Sequence, residues 1–158
     1  MKAKNPQLKL RLDAGPPDSA ARWRDGAPLA YLGGTLTLRL GTRHKEATRE
    51  GDVLHLPLPP AASPRQIQDA AESWLRARAV RVLSAQVVME ARRLGRAVPK
   101  VSLSFASRAG WVRPDDTGGL RIHWRLIEQD AEVIAQVVAR AVADLPSSQQ
   151  TLDLFALA

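Results

Sequence analysis

Three histidines, His44, His55 and His123, and no cysteine are the raw material for any metal or nucleophilic chemistry in this chain. The absence of Cys excludes disulfides, thiolate zinc sites, Cys-ligated iron–sulfur clusters and Cys nucleophiles. No two histidines stand three or four residues apart, so no single helix face can offer a pair of imidazoles to one ion. HExxH, the Walker-type loop, GxSxG and the Gly-rich dinucleotide fingerprint are all missing. His44 sits in the polar segment Thr42–Glu50 and is expected to be solvated, while His55 and His123 fall in strand-like segments. Each is read as an ordinary surface or strand histidine, because no second ligand stands at a useful spacing. Asp115-Asp116 is a carboxylate pair in a turn, and Gly33-Gly34 and Gly118-Gly119 are turns before they are anion-binding loops.

The elements that would position these residues follow from patterning. Pro28–Leu40 has two extended runs divided by Gly33-Gly34. In the second run Leu36, Leu38 and Leu40 alternate with Thr35, Thr37 and Arg39, which predicts a hairpin with one apolar face. Asp52–Leu58 predicts a further short strand that Pro57 ends or confines to an edge. Ser63-Pro64 opens the longest helix, an N-cap followed by a first-turn proline. Ile67, Ala70, Ala71, Trp74 and Leu75 form a 3.6-type apolar stripe, which Ala79, Leu83, Val87 and Ala91 continue in steps of four that drift by about 40° each on an ideal helix. Either a bend near Ser84 or burial on more than one side resolves that drift, and Gly95 is the expected stop. Lys100–Phe105, Trp111–Val112 and Leu120–Trp124 predict a small antiparallel sheet. Asp130 caps a second helix over Ala131–Leu145, and Ser147-Ser148 would cap a last short one. Residues 1–25, with a short strand at Leu8–Leu12, read as an arm.

The whole is an α+β chain of 158 residues, 45% hydrophobic, long enough for a single domain over 1–158 with a real core. It has no apolar run near the roughly 18–20 residues of a membrane span, and its basic start lacks an apolar h-region. A cytoplasmic protein with no membrane partner is the expectation. The net charge is +7, and it is uneven: residues 1–100 carry 18 basic and 9 acidic side chains, residues 101–158 carry 5 and 7. A basic portion of this kind either attracts a polyanion or is simply an Arg-rich solvated surface.

The C-terminal quarter narrows the reading. The run RIHWRLIEQDAEVIAQVVARAVADLPSSQQTLDLFALA, residues 121–158, resembles the end of the YgjP-like metallopeptidases, relatives of the SprT-type zincins. Those proteins carry a stretch like RLNWRLI, a spacer with EVI, then VVAHELAHL and NHSPxFW. Trp124-Arg125-Leu126-Ile127, Glu132-Val133-Ile134 and Val137-Val138-Ala139 follow that frame, with Ala143, Leu145 and Phe155. Tyr31-Leu32-Gly33, the Leu-Pro-Leu-Pro stretch and Trp74-Leu75 have looser counterparts, and Arg108-Ala109-Gly110-Trp111 stands where the family has RWGSC. The resemblance implies a zincin-like C-terminal helix packed with the long helix, the sheet and the N-terminal hairpin. It also implies zinc held by two His one turn apart and a third downstream, with a Glu that activates water. This chain departs at every such position: Arg140, Ala141 and Asp144 replace the first His, the Glu and the second His, and Gln150 falls at the third His. No catalytic residue, no metal and no cofactor are therefore expected here. Arg140 and Asp144 are i, i+4 near the border of the helix's apolar arc; they either pair where the metal would sit or stand as separate surface charges.

Three functions compete. The first is a pseudoenzyme whose scaffold serves binding or regulation through an unidentified protein partner. The second is a basic nucleic-acid-binding module, with Arg76, Arg78, Arg81, Arg92, Arg93, Arg96 and Lys100 as its candidate contacts. The third is a hydrolase with a non-standard site, such as His123 with Asp144 or Glu128.

Overall fold

The computed structural model describes residues 19–105 and 110–146. The expected strand at Leu8–Leu12, Arg108-Ala109, Gln150, Phe155 and the short helix after Ser147 lie outside them. The chain divides into two compact units: residues up to Leu29 with Leu36–Ala71, and Ala30–Thr35 with the chain from Glu72 onward.

The first unit begins with a one-turn helix α1 (Ser19–Arg22), so residues 19–25 belong to a folded unit and Trp23 is buried. Strands β1 (Pro28–Tyr31), β2 (Gly34–Arg39), β3 (Thr48–Glu50) and β4 (Val53–His55) form a sheet in the order β1-β2-β4-β3. β2 runs parallel to β4, with Leu38 beside Leu54 and Arg39 beside His55. β3 is antiparallel to β4, with Thr48 opposite His55 and Glu50 opposite Val53. Leu36, Leu38, Leu54 and Leu56 are buried, as the leucine alternation predicts.

Helix α2 (Pro64–Arg93) runs 30 residues without a break. Ser63 Oγ accepts from Gln66 N–H at 3.2 Å while Ser63 N–H donates to Gln66 Oε1 at 2.8 Å, a reciprocal capping box. At the other end Gly95 adopts φ 66°; Arg96 N–H reaches Ala91 O at 2.8 Å and Gly95 N–H reaches Arg92 O at 3.1 Å, a Schellman stop. All seven residues of the i+4 line from Ile67 to Ala91 are at most 2% exposed. At about 40° per step that line winds some 240° round the helix. Burial on more than one side therefore resolves the drift, and no bend at Ser84 is needed.

In the second unit β5 (Val101–Ser104), β6 (Val112–Pro114) and β7 (Leu120–His123) form a sheet in the order β5-β7-β6. The expected antiparallel sheet is mixed instead: β6 and β7 are an antiparallel hairpin, but β5 lies parallel to β7, with Leu103 beside Ile122. The apolar β7 takes the centre, with Leu120 and Ile122 buried. A 3-10 helix, Trp124–Glu128, leads to α3 (Ala131–Asp144). Asp130 caps α3 by accepting from Val133 N–H at 2.9 Å.

The β1–β2 turn lies one residue earlier than Gly33-Gly34 suggests. Leu32 (φ 48°) and Gly33 (φ 78°) are its central pair, and Gly34 already opens β2. Two successive positive φ values match the twist of a two-residue hairpin, and Leu32 tolerates one because the turn is held from outside. Leu32 N–H donates to Ile127 O at 2.8 Å and Gly33 N–H to Glu128 O at 3.0 Å, so the turn satisfies the last carbonyls of the 3-10 helix.

Candidate functional site

The motif Trp124-Arg125-Leu126-Ile127 has a structural task. Leu126 and Ile127 are fully buried, and Arg125 lies over the Trp124 ring at 4.5 Å. Its guanidinium bridges Glu128 Oε2 at 2.9 Å and Glu72 Oε2 of α2 at 3.3 Å. Glu72 also pairs with Arg76 at 3.6 Å, and its own burial is supported by these two cations. The 3-10 helix is thereby locked to α2, and the N-cap of α3 follows two residues later.

On α3, Ile134, Val138 and Val142 form the buried line. Arg140 is exposed on the far side of the helix from that line, Asp144 is exposed at its flank, and Ala141 is half-buried. Among the described residues Arg140 and Asp144 make no ion pair with each other, so of the two alternatives they stand as separate surface charges. This donor set does not fit a zinc ion. A guanidinium has no lone pair to give, Ala141 offers no donor atom, and one exposed carboxylate is not a site.

A cleft of about 540 Å³ lies beside α3, lined by Ala141, Asp144 and Leu145 with Val112, Leu120, Asp115 and Asp116. Its floor is apolar and its rim carries three carboxylates. Asp115 accepts from the Thr117 hydroxyl at 2.8 Å, from Gly119 N–H at 2.7 Å and from Thr117 N–H at 2.8 Å. Those donors hold its carboxyl below the usual carboxylate value, the Thr117 hydroxyl most of all.

Four of the seven basic candidates have partners within the fold. Arg76 is turned inward, 5.4 Å over Trp124 and 5.9 Å over Phe105. Arg78 donates to Tyr31 Oη at 3.1 Å, and Arg93 pairs with Glu90 at 2.8 Å. Arg96 donates to Val142 O at 2.8 Å and Leu145 O at 2.6 Å, closing the C-terminus of α3. Arg81, Arg92 and Lys100 are exposed. His123 does not converge with an acid: its Nδ1 accepts from Arg125 N–H at 3.2 Å, capping the 3-10 helix, and Glu128 is taken by Arg125.

One grouping escapes the sequence reading. Glu50 and His55 share a face of the β3–β4 hairpin on a diagonal, opposite to Leu54, and His44 comes to the same place from the preceding connection. His44 Nε2 lies 2.8 Å from Glu50 Oε1 and His55 Nε2 lies 3.7 Å from Glu50 Oε2, with the two rings 5.0 Å apart. Neither histidine is simply solvated: their side chains are 34% and 24% exposed. Among the described residues this is the group of three able to hold a metal ion. A spacing of 11 residues across a connection and a tight hairpin carries no ligand signature; the signal available was three donor side chains inside one short segment.

No curated protein and no solved structure gives a significant match to the chain. The family model described as YgjP-like, metallopeptidase domain matches residues 5–140, from the N-terminal segment through Arg140 on α3. The motif that anchors the 3-10 helix, the Leu32-Gly33 turn and most of α3 fall within that match, and on it the chain belongs to the YgjP-like metallopeptidase-domain family.

Proposed function

We propose that the chain is a metallopeptidase-fold protein that lacks zinc-peptidase chemistry at α3 and acts by binding a protein partner. The supporting observation is the donor set of that helix: Arg140, Ala141 and Asp144 where two imidazoles and a general base belong, with Gln150 at the third ligand position. Zinc hydrolysis needs three converging ligands and a base within reach of the bound water, and Ala141 cannot move a proton. The cleft beside α3 suits a different task. Its apolar floor and its rim of Asp115, Asp116 and Asp144 complement a protein segment that presents apolar and basic side chains together.

The test is a peptidase assay on the zinc-supplied protein with unfolded protein and peptide substrates, beside fluorescence titration with Lys- and Arg-containing apolar peptides. The expected result is no metal-dependent cleavage, with peptide binding that D144A weakens several-fold. Zinc-dependent cleavage abolished by D144A would overturn the reading.

A second reading rests on Arg81 and Arg92, which are both exposed and lie within about 20° of one another round α2. It requires DNA or RNA binding with a steep salt dependence that R81A/R92A flattens. Binding that is absent or independent of salt removes it.

A further inference from the structure

We propose that His44, Glu50 and His55 form a binding site for a divalent transition-metal ion, with two imidazole nitrogens and one carboxylate oxygen as ligands. The site is distinct in sequence and in element from the α3 positions, and does not depend on the function proposed above.

The geometry comes from the sheet. β3 and β4 set Glu50 and His55 diagonally across from one another on one pleated face, and the connection before β3 delivers His44 to the same carboxylate. Glu50 uses one oxygen toward each histidine, at 2.8 and 3.7 Å, and the three ligand atoms all lie within 4.8 Å of one another. Ligands on a tetrahedral zinc ion, at about 2.0–2.2 Å from the metal, stand about 3.4 Å apart. The Glu50–histidine contacts already lie near that spacing, and the widest separation, no more than 4.8 Å, closes by at most about 1.4 Å through small side-chain rotations around the 60%-exposed Glu50.

The donor set selects the ion. Two imidazoles disfavour calcium and magnesium, which prefer all-oxygen shells, and favour zinc and its neighbours among borderline-soft ions. Three protein ligands leave a position open to solvent, as in an accessible site and unlike a closed four-ligand structural one. The nearby cations limit the affinity: Arg39 is the register partner of His55 on β2, and Lys45 lies in the same connection as His44. Each imidazole must be neutral to ligate, so protons compete with the metal and acidification releases it.

The experiment is equilibrium dialysis and calorimetric titration of the full chain with Zn²⁺ alone at neutral pH, then at acidic pH. One ion per chain is expected, released on acidification, with a zinc-dependent rise in melting temperature. H44A and H55A should each weaken binding at least about tenfold, and the nearly isosteric E50Q should do the same. Circular dichroism establishes that each variant is folded, and E50Q carries the test if a histidine variant is not. Co²⁺ in place of zinc should give visible ligand-field absorption that H44A/H55A abolishes. No zinc uptake by the native chain, or uptake that H44A/H55A and E50Q leave unchanged, overturns the proposal. Zinc that persists in H44A/H55A but is lost in D144A would instead place the ion on α3.

Discussion

Gly33→Ala should be among the most damaging single-methyl additions this chain can suffer, and Gly51→Ala supplies its control. Both glycines have positive φ, 78° and 58°, so both substitutions meet the left-handed backbone penalty of about 1–2 kcal/mol. Alanine also narrows the unfolded ensemble and returns about 0.4–1 kcal/mol, leaving about 1 kcal/mol at Gly51, where the new Cβ meets nothing within 4 Å. At Gly33 the same Cβ would stand 2.5 Å from Asp130 Cβ and 2.8 Å from Asp130 Cα. These are not the ends of flexible side chains, so the turn or the α3 N-cap must move. Moving the turn gives up the bonds from Leu32 and Gly33 to Ile127 and Glu128, at about 1 kcal/mol each. Moving Asp130 gives up its cap on Val133, about 1 kcal/mol more. The expected difference between the two variants is about 1–3 kcal/mol, from the cap alone giving way to both the cap and the turn doing so, read as separated midpoints in urea unfolding at equal slope. If G33A unfolds within 0.5 kcal/mol of G51A, the claim that this turn is clamped between the 3-10 helix and α3 is wrong.

Other consequences follow from the same contacts. R96A should destabilise by about 2 kcal/mol, because it strips charge-assisted hydrogen bonds from Val142 and Leu145 at the end of α3; R81A, on the exposed side of α2, should lie within about 0.5 kcal/mol of the native chain in the same unfolding assay. R125A should cost about 3 kcal/mol by leaving buried Glu72 with Arg76 alone, and E72Q in that background should recover part of the loss in a double-mutant cycle. Asp115 has a lowered folded pKa, so its contribution is present above the unfolded carboxylate value and is lost as pH falls through the lower folded one. Acid unfolding of D115N should therefore show a weaker pH dependence below about pH 4, while an unchanged profile would mean the Thr117 and Gly119 bonds do not hold the carboxylate.

What could be read from the residues follows the range of the physics. Ser63-Pro64 and Gly95 are local signals, and they bound α2 within a residue or two of its observed ends. The leucine alternation around β2 and the apolar positions of α3 are equally local: Leu36, Leu38, Ile134, Val138 and Val142 are buried, while Leu40, Val133, Val137, Ala141 and Leu145 are half-buried. Sheet sense is not local. Nothing in Val101–Ser104 or Leu120–His123 says that β5 runs parallel to β7; that depends on the β6–β7 hairpin presenting β7 rather than β6 to β5. The turn at Leu32-Gly33 depends on acceptors some 95 residues away, at Ile127 and Glu128. The positions on α3 were named from a resemblance in the surrounding residues, whereas His44, Glu50 and His55 match no motif and become neighbours only when Thr48–Glu50, a polar stretch with no strand signature, pairs with β4.

The central claim, that this fold lacks zinc chemistry at α3, is tested most directly by metal analysis of an H44A/H55A protein after equilibration with Zn²⁺, followed by a peptidase assay on the same sample. That variant leaves α3 as the place where zinc would have to bind if the family's chemistry survived. The expected result is no zinc beyond a buffer control and no metal-dependent cleavage. One tightly held zinc per chain, accompanied by hydrolysis and removed by D144A, would contradict it.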